Sequence, residues 1–69
     1  MSEFLVTEVA CAAAIKFTHG RYMRIGQCAF NALHEIRPDL AYEIRGTRID
    51  PFFHDANVPA FYEWLEQQQ

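Results

Sequence analysis

The sequence predicts an all-α fold, one small domain of three to four short helices spanning residues 1–69. Three observations predict it. The opening segment is alanine-rich, polar residues recur every three or four positions through the middle, and proline and glycine bracket the apolar runs that remain.

Ser2 is placed to cap a first helix running to about Phe17, with Glu3 in its first turn and Gly20 available to end it. Ala10, Ala12, Ala13 and Ala14 favour the helix. Val6, Thr7 and Val9 are β-branched, so a strand over Phe4 to Val9 is the competing reading and would make the fold α+β with an N-terminal strand. A second helix is expected from Tyr22 to Ile36, where Arg24, Gln27, Asn31, His34 and Glu35 share one stripe. Most of its remaining circumference is apolar: Ile25, Cys28, Ala29, Ala32 and Ile36, then Met23, Phe30 and Leu33. A helix of that kind is wedged between neighbours or between subunits. Gly26 inside it costs about 1 kcal/mol relative to alanine, which close helix–helix approach would justify.

Pro38 ends that helix and starts a short third one, with Asp39 near its positive end, Arg45 near its negative end and Gly46 suited to the left-handed position beyond. Leu40, Ala41 and Ile44 line one side. Asp50 before Pro51 repeats the start signal and predicts a helical turn reaching Phe53 at most. Asn57 or Val58 before Pro59 starts the last helix, with Val58, Phe61, Tyr62 and Leu65 inward and Glu63 and Glu66 outward. The closing Gln67, Gln68 and Gln69 fray.

Composition excludes several function classes. Half the residues are apolar and ten are aromatic, too many for a disordered chain. The net charge of −3 is neither the positive field of a nucleic-acid binder nor the dense acidity of a DNA mimic. All five arginines lie between Arg21 and Arg48, and the segment from Ile49 onward carries four acids and no base. Those opposite charges neutralise one another in the fold or form a surface that steers a partner. Cys11 and Cys28 are too few for a disulfide scaffold and read as free thiols in a reducing compartment, so a cytoplasmic location is expected. The apolar stretch from Phe4 to Phe17 is broken by Glu8 and lacks a basic leader, so it resembles neither a signal peptide nor a membrane span.

No catalytic or metal constellation emerges, so the expectation is a protein that is not an enzyme and carries no cofactor. His19, His34 and His54 lack both zinc-finger spacing and the i, i+4 pair of a metalloprotease helix. Cys28 and His34 stand six residues apart on a helix, about 600° of rotation, which separates their faces. Glycines 20, 26 and 46 stand alone and form no phosphate loop. Candidate interface residues are Tyr22, Met23, Gly26, Phe30, Phe52, Phe53 and Trp64, because aromatic side chains dominate interface hot spots. Arg21, Arg24, Arg45 and Arg48 form the candidate charged surface. A small DNA-binding regulator built on a helix–turn–helix is the alternative, but the recognition helix from Pro38 to Arg45 would carry Asp39 and Glu43 toward phosphates.

Ten rings in 69 residues exceed what one small core readily hides, so a homodimer is expected, with Gly26 at its seam. The stretch RIGQCAFNALHEIRPDLAYEIRGTRIDPFFHD and the closing VPAFYEWLE resemble small phage and prophage proteins of uncharacterised function. The similar elements are the GQ near a helix start, the N-x-L helix, the P-x-L-A turn, the G-T before D-P-F and the aromatic last helix. They cover about two-thirds of the chain. The resemblance implies no catalytic residue. It implies a phage accessory protein in a bacterial host, of a class that often binds and redirects a host or defence protein.

Overall fold

A computed structural model describes residues 4–20 and 23–68. They form four α-helices, α1 (Leu5–His19), α2 (Ile25–Ile36), α3 (Pro38–Ile44) and α4 (Val58–Glu66), with a single 3-10 turn, Asp55–Asn57, before the last. The fold is all-α as the sequence predicts, and Phe4 to Val9 is the start of a helix rather than a strand. Alanine and leucine propensity and a buried Leu5–Val9–Ala13 stripe prevail over the β-branched residues there. No described helix is long and apolar enough to cross a membrane.

α2 is the centre of the packing: α1, α3, α4 and the 3-10 turn all lie against it. Its Cys28, Ala29, Ala32 and Leu33 are buried together with Leu5, Val9 and Ala13 of α1, Leu40, Ala41 and Ile44 of α3, and Phe61 and Leu65 of α4. The small side chains on α1 and α2 permit close approach, and Lys16 of α1 adds an ion pair to Glu35 of α2 at the surface. The Cα radius of gyration of 10.8 Å matches the ~11 Å expected of a compact chain this long.

The helix punctuation is partly as read. α3 follows its signals: Pro38 in the first turn, Leu40, Ala41 and Ile44 buried, and Gly46 at φ 78°, the left-handed region that glycine favours. Arg37 also grips Asp39 with two hydrogen bonds, 3.0 and 2.8 Å, and its side chain holds the Asp39 carboxyl below the usual range. In α4, Phe61 and Leu65 are buried, Val58 and Tyr62 half-buried, and Glu63 and Glu66 face solvent.

Four local expectations are corrected. The first helix runs on to His19, and it starts after Phe4 with no side-chain cap from that residue; the expected cap at Ser2 and its neighbour Glu3 lie outside the described residues, as do Arg21, Tyr22 and Gln69. The second helix begins at Ile25, three residues later than the periodicity predicts, because Arg24 has extended backbone angles. No helical turn forms over Asp50–Phe53. Both carboxylate oxygens of Asp50 are instead drawn into the loop, Oδ1 accepting from the Phe52 N–H at 2.9 Å and Oδ2 from the Gly46 N–H at 2.7 Å.

The fourth correction concerns Gly26. A close approach exists there, but its partner is the chain's own loop and not a helix of this chain or another. A Cβ at Gly26 would lie 2.0 Å from the Pro51 carbonyl oxygen and 2.9 Å from Asp55 Oδ1. Gly26 is therefore sealed inside the fold, and the apolar circumference expected to form a dimer seam is largely covered from within.

Two outcomes follow from this packing. Gly26→Ala, which would gain helix propensity at an open site, should instead lose about 2 kcal/mol or more through overlap with Pro51, lowering the melting temperature by roughly 10 °C; an unchanged melt would show the contact to be loose. Burial pushes the Cys28 thiol up, opposed by Lys16 and reinforced by Asp55, and burial likewise raises the Tyr62 phenol. A raised folded-state value means that the unfolded chain loses these protons first. Stability should thus be full below the ordinary thiol range and fall as pH rises from roughly 8 to 10, and thiol reagents should label the exposed Cys11 quickly and Cys28 slowly.

Candidate functional site

The segment from Arg45 to Asn57 has no regular structure before Asp55, yet side chains fix it from both ends. Asp50 ties back to Gly46 and forward to Phe52 as described. Asn57 Nδ2 donates to the Arg48 carbonyl at 2.9 Å and to the Asp50 carbonyl at 3.0 Å. Thr47 Oγ1 donates to the Ile44 carbonyl at 2.7 Å, extending the end of α3.

The start of α2 anchors the same loop. Helix N-termini expose unpaired N–H groups and a partial positive charge, and here Asp55, 29 residues away, supplies the acceptor. The Gly26 N–H donates to Asp55 Oδ1 at 3.0 Å. Arg24 donates to the Phe52 carbonyl and places its Nε 3.5 Å from Asp55 Oδ1. Arg24, expected to belong to an outward charged surface, is thereby engaged within the chain.

This scaffold holds three phenylalanines in edge-to-face sequence. Phe30 of α2 meets Phe52 at 5.6 Å between centroids with planes at 86°, and Phe52 meets Phe53 at 4.7 Å and 70°. Exposure rises along the series, from 9% at Phe30 through half-buried Phe52 to 72% at Phe53. They line a groove of about 440 Å³, completed by Asn31, His34, Arg45, Gly46 and Asp50. Its volume falls in the range of ligand-sized clefts.

The polar groups of the groove are unequal. Asp50, the only acid lining it, has both oxygens committed to backbone N–H groups. The Arg45 side chain forms no ion pair or hydrogen bond among the described residues, and the side chains of Asn31 and His34 form none either. What the groove offers to a visitor is therefore a rising apolar wall, the Arg45 guanidinium, and the Asn31 and His34 side chains, which can donate or accept. Cys28 is buried in the core, outside the groove lining, and among the described residues no three metal-ligating side chains cluster.

The structure brings together four sequence candidates, Phe30, Phe52, Phe53 and Arg45, and disperses the rest. Met23 lines a second groove with Lys16, His19 and Glu35, which shares Asn31 and His34 with the first. Trp64 is half-buried beside Arg48 and Ile49 in a third, of about 300 Å³. Gly26 is internal, and Arg21 and Tyr22 fall outside the described residues. Sequence reasoning missed Asn31, His34 and Asp50 as groove residues, and it missed Asp55 at the start of α2.

A further surface emerges on α1. Turning about the helix from Phe17 to Ile15 on the side away from Leu5, Val9 and Ala13, one meets Ala10, Ala14, Thr7, Thr18 and Cys11, none charged. Ile15 and Phe17, 61% and 54% exposed, form its two margins. Comparisons with protein-family models, with curated proteins and with solved structures find no match for this chain.

Proposed function

We propose that the chain is a small, non-enzymatic protein–protein interaction module that works inside a bacterial cell. One observation carries the reading: an exposed phenylalanine, Phe53, is held by a hydrogen-bonded loop at the rim of an aromatic groove whose Arg45, Asn31 and His34 side chains have no partner among the described residues. Ordering such a loop beforehand removes part of the entropic cost of association, which is how a small surface gains affinity. The resemblance to phage and prophage proteins supports seeking the partner, a host or defence protein, in bacterial cytoplasm.

The arrangement of charge supports a protein partner over the DNA-binding alternative. Arg24 is engaged with Asp55 and Phe52, Arg37 with Asp39, and Arg45 and Arg48 line different grooves. α3, which would have to read a DNA groove, exposes Asp39, Tyr42 and Glu43.

Self-association belongs to the same proposal and moves from α2 to α1. The uncharged outer face of α1 is self-compatible: its small central residues permit a second α1 to lie close, and Ile15 and Phe17 flank the seam.

Affinity capture from bacterial lysate after nuclease digestion tests the module reading. Wild type should retain a discrete protein that Phe53→Ser loses by roughly tenfold or more, with the fold checked by circular dichroism. Retention that Phe53→Ser leaves unchanged, or recovery of nucleic acid alone, would count against it. The dimer is tested by sedimentation and by the rate of Cys11 labelling, which should fall with rising concentration in wild type but not in Ile15→Glu. A wild type that stays monomeric at high micromolar concentration ends that part of the reading.

A further inference from the structure

We infer that the connection Arg45–Asn57 is a strap that opens from α2 as one cooperative unit while the four helices stay packed, with Arg24, Gly26 and Asp55 as its latch. Closed, it supplies one wall of the aromatic groove. Its opening does not depend on what the groove binds.

Two features make the strap separable. The helices on either side of it are secured without it: α3 lies against α2 and buries Leu40, Ala41 and Ile44, and α4 lies against α1 and α2 and buries Phe61 and Leu65. The attachment of the strap to α2, by contrast, is narrow. Its polar ties to that helix all sit at the helix start, where the Gly26 N–H donates to Asp55 Oδ1 at 3.0 Å and Arg24 reaches the Phe52 carbonyl and Asp55. The Arg24 and Asp55 side chains are 48% and 44% exposed, so water competes for both. The buried or half-buried apolar side chains of the strap are Ile49, Pro51 and Phe52. Segments with few buried apolar contacts and solvent-exposed hydrogen bonds open at a lower free energy than the whole chain.

Cooperativity comes from ties inside the strap. Asp50 joins the Gly46 and Phe52 N–H groups, and Asn57 joins the Arg48 and Asp50 carbonyls. The His54 N–H donates to the Pro51 carbonyl, the same carbonyl that abuts Gly26. Each of these ties is local and shares a residue with another or with the latch, so release of the latch loosens them together. Opening also carries Phe52 away from Phe30 and parts the two walls of the groove, α2 and the strap.

The test is native-state hydrogen exchange of the ¹⁵N-labelled full chain at increasing urea below the unfolding transition. In wild type the Gly26, Gly46, Phe52 and His54 amides should share one opening, protected about tenfold less than Ala32 and Leu33 of the buried α2 face and with little urea dependence. Arg24→Ala, a surface change, should lower the protection of all four by about fivefold. Val9→Ala loosens the helix core, which the open strap leaves intact. It should therefore lower Ala32 and Leu33 by about tenfold and leave the four unchanged. Protection and urea dependence equal to those of Ala32 and Leu33, or an equal response to Val9→Ala, would show that the strap opens only with the whole chain and overturn the proposal. Four amides with unrelated protection would refute the unit, and four that ignore Arg24→Ala would refute the latch. Should Val9→Ala fail to fold, the wild-type urea series alone decides whether the opening is local.

Discussion

The joint between Gly26 and the Pro51–Asp55 segment determines how the second half of this chain is held. The absence of a side chain at Gly26 lets the Pro51 carbonyl approach to where a Cβ would stand. That approach brings Asp55 onto the start of α2, where an exposed N–H and the helix dipole both favour a carboxylate. Arg24, just before the helix, then reaches the Phe52 carbonyl and the same Asp55. One glycine, one acid and one arginine thus convert a thirteen-residue connection without strands into a fixed wall on α2. A chain this short has little core to spare, and fixing a long connection through its polar groups recovers order that apolar burial alone would not supply.

The same joint explains why Phe53 can remain exposed. A ring on a mobile loop would fold back onto the nearest apolar surface. Asp50 holds the Phe52 N–H, Asn57 reaches back to the Asp50 carbonyl, and after Phe53 the His54 N–H donates to the Pro51 carbonyl, which together prescribe the course of the loop. Phe52 turns inward to Phe30, and Phe53 is left to extend the series outward. The exposed ring is a consequence of how its neighbours are bound.

The sequence carried the helices well because helix signals are local. Pro38, Asp39 and Gly46 act within a turn of where they stand, and the three- and four-residue spacing of Leu40, Ala41, Ile44, Phe61 and Leu65 needs no knowledge of the partner face. The Asp50–Pro51 pair misled for the opposite reason. An aspartate before proline opens a helix or closes a turn with equal local logic, and the outcome turned on the Gly46 N–H being near enough to compete for it. Gly26 was legible as a close approach but not as to its partner, since a missing Cβ records only that something comes near. Asp55 was beyond reach, because a cap supplied from 29 residues away leaves no spacing to read. At the groove, four candidates were visible as residue types, whereas the donors Asn31 and His34 looked like any solvated helix positions.

The alanine-rich first helix is legible as a helix, but its outer side is not legible as covered or open. Alanine supports a helix whether its face is covered or open, so propensity is silent on burial. The fold separates two uncovered features that composition merges into one surplus of apolar residues. No residue of α1 lines the aromatic groove, which is built from α2, the end of α3 and the loop. Pairing through α1 would leave that groove open on both copies of a symmetric dimer. Substitutions at Ile15 and at Phe53 lie on separate elements with no shared lining residue, and effects at sites without common partners add. A dimer built this way would present two identical grooves to one partner assembly, so α1 would raise the avidity of the groove without altering its specificity.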